Sequence, residues 1–258
     1  MNISAVIIAR NEAAYIEKCV KALLPIADEV LVCDTGSSDD TSSLAARAGA
    51  RVIHIPFAGY GETKNKANSE ATHDWILSID ADEKADEKLN HSLTEIKQQL
   101  NYECVYSFSR LNSYCGKWIH YGAWNPDVKI RLFNRKYVQW NTEAVHETLY
   151  IPKHFSMLKL KGKLLHYSYP TAQSLIAKRK IYSERGAQAL IQKGVNPTYI
   201  KMYASAVSRF VRDYVLKLGL LDGKAGLIIA WQSATETLQK YNIALNLKRK
   251  LNNSTYTR

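Results

Sequence analysis

The sequence predicts an α/β fold: a mostly parallel central sheet flanked by helices, followed by a basic, mostly helical C-terminal extension. Three observations point there. Short apolar runs of strand length alternate with amphipathic stretches over the first hundred residues. The first, second and fourth of those runs stop at polar or acidic residues. Charge changes sign along the chain, with a net −4 over residues 1–150 and +15 over residues 151–258.

Each element has a local reason. Ile3–Ala9 (ISAVIIA) reads as a buried strand. Glu12–Leu24 reads as a helix, with Ile16, Val20, Leu23 and Leu24 on one stripe. Glu29–Asp34 is a second strand, and Thr35-Gly36-Ser37-Ser38-Asp39 is turn chemistry, with Asp39 or Asp40 placed to cap a helix from Thr41. Arg51–Ile55 is a third strand, and Thr63–Ala71 a short helix after the Gly59-Tyr60-Gly61 loop. Trp75–Asp80 is a fourth strand, and Glu87–Leu100 is helical. Beyond residue 100, Val105–Arg110 and Val128–Asn134 read as strands around an aromatic, polar loop from Tyr114 to Asn125. Leu164–Tyr169 is another strand, and helical, basic sequence begins near Ala172. The expected division is 1–170, with halves of about 1–100 and 101–170, and an extension of 171–258.

Composition narrows the classes. With 258 residues, 46% hydrophobic and 23% charged, the chain can bury a sizeable core without disulfides or structural zinc. The cysteines Cys19, Cys33, Cys104 and Cys115 form no CxxC pair. Met1 runs straight into a strand without a basic leader, and no apolar run is long enough to span a bilayer, so a cytoplasmic setting is expected. The basic part suits an anionic surface or phosphorylated substrate. The acidic first half and the lack of a recognition motif argue against a nucleic-acid partner.

Ligands of open parallel sheets bind beyond the carboxyl ends of the strands. Arg10-Asn11-Glu12, Asp34 to Asp39, and Asp80-Ala81-Asp82 should therefore converge. Asp80 and Asp82 suit Mg²⁺ or Mn²⁺ with phosphate oxygens, although a solvated turn with Asp82 capping a helix fits the same spacing. Asp34 reads either as a turn-forming residue or as an acceptor for a base or ribose. No GxGxxG or P-loop motif is present. Arg131 suits a strand ion pair, or a diphosphate or acidic acceptor. Trp118 and Trp124 are either core or sugar platforms.

The runs Ala5–Glu12 (AVIIARNE), Val32–Thr41 (VCDTGSSDDT) and Asp80-Ala81-Asp82 resemble family 2 glycosyltransferases, whose fold is the Rossmann-like GT-A fold. Asn125-Pro126-Asp127, Lys129–Phe133, Val145-His146-Glu147, Leu165-His166-Tyr167 and Gly219–Gly223 resemble the narrower group of bacterial lipopolysaccharide-core glucosyltransferases of the WaaE/KdtX type. The resemblance implies an inverting, metal-dependent hexose transfer from UDP-glucose to a glycan or lipid-linked glycan of the cell envelope. It implies that Ala9, Arg10, Asn11 and Glu12 line the nucleotide pocket. Asp34 would accept from the base, and Lys64, Asp80 and Ala81 would lie near ribose and diphosphate. Asp82 and His166 would hold Mg²⁺ or Mn²⁺. Glu147 would be the general base, with His146 its rival. Trp118, Trp124, Arg131 and His146 are the acceptor-side candidates. The chain lacks the ED pair and QxxRW segment that the family pattern often carries. Alternatives are another donor, a peptide acceptor, or a non-catalytic binding module for a sugar nucleotide or nucleic acid. For residues 172–250 the expectation is peripheral contact with an anionic membrane, on the cytoplasmic face of the inner membrane; a helical extension packed on the catalytic domain is the alternative.

Overall fold

Seven consecutive residues of Ile3–Ala9 (β1) are apolar except Ser4, and all but Ile8 are buried, as a strand covered on both faces requires. The computed structural model describes residues 1–141 and 148–255. After β1 come α1 (Ile16–Leu23), β2 (Glu29–Asp34), α2 (Thr41–Arg47), β3 (Arg51–His54), α3 (Tyr60–Ser69), β4 (Trp75–Asp80), β5 (Glu83–Ala85) and α4 (Glu87–Lys97). The strands β6 (Cys104–Tyr114), β7 (Lys117–Trp118), β8 (Val128–Asn134), β9 (Gln139–Trp140), β10 (Leu149–Tyr150) and β11 (Ser156–Tyr169) follow. Three helices close the chain: α5 (Ala172–Gln192), α6 (Tyr199–Val211) and α7 (Gly223–Thr255).

The chain divides into two compact units, one of residues 1–110 and 127–166, the other of residues 111–126 and 167–258. A single cut near 170 was expected; instead residues 111–126 go with the C-terminal helices. Their apolar side chains explain it, because Tyr114 and Ile119 share a buried cluster with Leu175, Ala225 and Ile229.

In the first unit the main sheet runs β3-β2-β1-β4-β8-β6-β11-β5. The first four strands are parallel, the arrangement that the alternating sequence pattern predicts. The pairs β4–β8, β8–β6 and β11–β5 run antiparallel. The apolar faces of β1, β2 and β4 pack with Ile16, Val20 and Leu23 of α1 and Leu89 and Leu93 of α4. Strand β11 is longer than expected because it crosses the start of α4. At Gly162, φ is +102°, and a Cβ there would lie 2.2 Å from the Leu89 nitrogen, so only glycine permits that approach. Asp86, rather than Asp82, caps α4 by accepting the Leu89 N–H at 2.8 Å.

In the second unit, Trp124 stacks on Tyr169 with ring centres 5.0 Å apart, and Asp222 accepts the backbone N–H groups of His120 and Tyr121 at 3.2 and 2.8 Å. Among the described residues no helix is long and apolar enough to cross a membrane.

Candidate active site

Strand register brings the three polar strand ends together. Ile8 of β1 pairs with Asp80 of β4, and Ala9 pairs with Asp34 of β2. The loops beyond β1 and β2 are then bonded to each other. Asn11 N–H donates to Ser37 Oγ at 3.0 Å, and Asn11 Oδ1 accepts the Ser38 N–H at 2.8 Å. Glu12 N–H donates to Thr41 Oγ1 at 2.8 Å, and Ala13 N–H to Asp39 at 3.2 Å. Asn11 has φ +57°, a left-handed conformation that asparagine tolerates better than most residues. Arg10 and Asn11 are exposed, and Glu12 is half-buried.

Asp34 is buried at the end of β2. Its Oδ1 accepts the N–H groups of Gly36 and Ser37 at 2.9 and 2.7 Å, and its Oδ2 accepts from the Ser42 hydroxyl. Burial pushes its carboxyl up, but these hydrogen bonds outweigh it and hold the group below the usual range.

Beyond β4 lies a charged network within the first unit. Arg131 of β8, with a side chain only 4% exposed, donates to Asp80 at 2.6 Å and to Glu83 at 2.5 Å. Glu83, fully buried on β5, also accepts the Asp80 backbone N–H at 3.0 Å and meets Arg110 at 3.2 Å. Arg110 in turn bonds Asp127 at 2.7 Å. Burial opposes the charge on Asp80, yet Arg131, with Lys64 and Arg110, holds its carboxyl well below the ordinary range. For Glu83, burial pushes the carboxyl up against the pull of Arg131 and Arg110. Arg131 loses by burial, but its two carboxylates keep it charged and raise it further.

Asp80 remains 39% exposed, so one side of its carboxylate faces outward. Antiparallel pairing of β11 with β5 sets His166 opposite Glu83 and beside Asp82, with Nε2 of His166 3.1 Å from Oδ2 of Asp82. Ala81 is buried between the two aspartates. Lys64 of α3 lies over the Trp140 ring, 4.3 Å from its centre. Among the described residues no group of three or more His, Cys, Asp and Glu side chains is placed to hold a metal. A carboxylate and an imidazole together fit a divalent cation that takes its remaining ligands from diphosphate and water.

Arg131, expected either in a strand ion pair or toward diphosphate or an acidic acceptor, has its guanidinium buried and bonded to Asp80 and Glu83. Trp124 is likewise absorbed in packing, edge-on to Tyr114 and stacked on Tyr169. Trp118 is half-buried against Tyr167, with ring centres 5.3 Å apart. His146 and Glu147 lie outside the described residues. Sequence reasoning missed Glu83 and Arg110. Glu83 finds Arg110 and Arg131 27 and 48 residues away, so no local spacing links them.

Known proteins are similar to this chain in sequence. The sequence model of glycosyl transferase family 2 matches residues 4–170. An uncharacterized glycosyltransferase of Rickettsia bellii (strain RML369-C) is 30% identical over 241 residues, spanning 88% of this chain and 80% of its own. The lipopolysaccharide core biosynthesis glycosyltransferase LpsC of Rhizobium meliloti (strain 1021) is 27% identical over 256 residues, 93% of each chain. Among solved structures, glucosyl-3-phosphoglycerate synthase of Mycobacterium tuberculosis, in complex with Mn²⁺, UDP-glucose and phosphoglyceric acid, is 27% identical over 45% of each chain, with a TM-score of 0.36. A family match over most of the chain, on a GT-A-type sheet whose polar strand ends converge, makes this protein an enzyme of glycosyl transfer, and the chain belongs to glycosyl transferase family 2.

Proposed function

We infer that the enzyme transfers a hexose, glucose from UDP-glucose, with inversion, to a glycan of the cell envelope such as lipopolysaccharide core. The observation that carries this reading is the acidic end of β4. Asp80 is oriented by Arg131 and Glu83, and Asp82 lies beside His166, next to the bonded loops of β1 and β2. The donor follows from the resemblance of residues 5–12, 32–41 and 80–82, and the acceptor class agrees with LpsC being a glycosyltransferase of lipopolysaccharide core biosynthesis.

Asp82 and His166 would hold Mg²⁺ or Mn²⁺. When bound, the cation stabilises the negative charge that builds on the departing diphosphate. Asp34, fixed in one orientation by its own turn, would accept a base N–H, with Ala9 to Glu12 lining the nucleotide. Lys64, close enough to Asp80 to hold its carboxyl down, would neutralise diphosphate. In a single displacement, an acceptor hydroxyl oxygen bonds the anomeric carbon as the bond to UDP breaks, and its proton goes to Glu147. Trp118 offers an aromatic face to a sugar. The setting is the cytoplasmic face of the inner membrane, where a lipid-linked acceptor would be met.

Purified protein incubated with UDP-glucose, with and without Mn²⁺, tests the reading. Metal-dependent release of UDP is expected, and faster release when a core-glycan acceptor is added. No release from UDP-glucose, with turnover of a different nucleotide sugar, would replace the donor; no release from any would remove the transfer reading.

A further inference from the structure

The second unit exposes more large apolar side chains than solvation explains. On α6, Ile200, Tyr203 and Val207 form one stripe at helical spacing, opposite the buried Met202 and Ala206. Leu216 and Leu221, in the segment that joins α6 to α7, and Trp231 on α7 are exposed as well, and an edge-on contact of Phe210 with Trp231 at 6.3 Å ties the two helices together. Ile200 is 82% exposed, Leu216 73% and Trp231 64%. An exposed apolar patch of this kind marks an interaction surface.

Charge identifies the partner. Between residues 199 and 231 the acidic side chains are Asp213 and Asp222, and both are buried. Asp213 bonds Arg209 and Arg212 at 2.6 and 2.9 Å, and Asp222 accepts backbone N–H groups. Every exposed charge on the segment is therefore a cation: Lys201, Arg212, Lys217 and Lys224. Apolar side chains with Trp and Tyr among them and a cationic rim are what an anionic bilayer surface takes up. A second copy of the chain fits poorly, since a two-fold interface would set the cationic rim against itself. We propose that the α6–α7 face of the second unit, centred on Val207, Leu216 and Trp231, inserts shallowly into the headgroup region of an anionic membrane. The proposal rests on residues of the second unit alone, so it does not depend on which sugar is transferred.

The test uses the full chain and vesicles of phosphatidylcholine with or without phosphatidylglycerol. Co-sedimentation with anionic vesicles at low salt is expected, weakened but not abolished by salt, since the apolar contribution is unscreened. Leu216→Asp and Val207→Asp should each weaken binding by about tenfold or more. Lys217→Glu and Lys224→Glu should each cost about fivefold or more. Trp231 emission should shift to the blue on vesicles, and Trp231→Phe should lose that shift. Unchanged thermal unfolding confirms that these exposed substitutions leave the fold intact. Absence of vesicle binding at low salt overturns the proposal, as does binding indifferent to Leu216→Asp and Val207→Asp. A wild-type dimer in sedimentation velocity that Leu216→Asp dissociates would assign the face to a second copy instead. A chain that turns over UDP-glucose yet ignores vesicles removes this proposal and leaves the transfer reading standing.

Discussion

Replacing Arg131 with methionine should destabilise the first unit strongly and in a pH-dependent way. The guanidinium is 4% exposed and bonds Asp80 at 2.6 Å and Glu83 at 2.5 Å. Methionine fills much of the volume but leaves two carboxylates facing each other. Breaking a buried ion pair by removing one partner costs about 3–5 kcal/mol. Two features place this case at the low end: Asp80 can turn toward water, and Arg110 still reaches Glu83 at 3.2 Å. A loss of about 3 kcal/mol should lower the melting temperature by about 6–12 °C for a chain of this size. The sign with pH follows from Asp80. Its folded value is depressed below the ordinary 3.8, so its stabilisation is complete above that value and lost as pH falls through the folded one. Thermal unfolding followed by far-ultraviolet circular dichroism should therefore show a full deficit at neutral pH that narrows once the pH drops below 3.8. A melting temperature within about 2 °C of wild type at neutral pH would mean that no buried charge had been left unpaired, and that Arg131 does not hold Asp80 and Glu83 as described.

Three further substitutions probe other parts of the molecule. Glu29 accepts from Ser4, Arg51 and Thr72, and despite burial these hydrogen bonds hold its carboxyl down to about 2 from 4.5. Glu29→Gln should cost about 1–3 kcal/mol at neutral pH. That deficit should close between pH 4.5 and about 2; an equal deficit at both ends would contradict the assignment. Asp222→Ala strands the N–H groups of His120 and Tyr121, so amide exchange at those positions should accelerate, with about 1–3 kcal/mol lost from the second unit. Glu147→Gln should retain UDP-sugar binding while turnover falls by about 10²-fold or more. Near-normal turnover there, with His146→Ala inactive, would reverse the two roles.

The parallel half of the sheet was legible because its strands are continuous apolar runs ending in polar residues, a local pattern. Four strands in order with their intervening helices follow from that alternation, and so does the convergence of Ala9, Asp34 and Asp80. Boundaries drifted where tertiary contact decides them. Strand β5 is three residues long and exists because β11 pairs with it, and β11 is long because Gly162 lets it pass Leu89. Those are long-range facts with no local signature. The same holds at the site. Asp80 and Asp82 stand out by spacing, but the group that fixes Asp80 is Glu83, buried between arginines from two distant strands. Arg131 was visible as a candidate, and only its burial decides between ion pair and ligand contact. Residues 111–126 looked like an excursion of the first unit, yet Tyr114 and Ile119 bury their apolar surface against the C-terminal helices.

Isothermal titration of UDP into wild type and Asp82→Ala, with and without Mn²⁺, tests most directly the proposal that the acidic end of β4 is a cation-assisted donor site. Thermal unfolding of the variant would first establish that it is folded. Binding to wild type only in the presence of the cation, and its loss in Asp82→Ala, is the predicted result. UDP affinity that is the same in the variant with Mn²⁺ present, or the same in wild type without it, would show that Asp82 and the cation do not hold the donor.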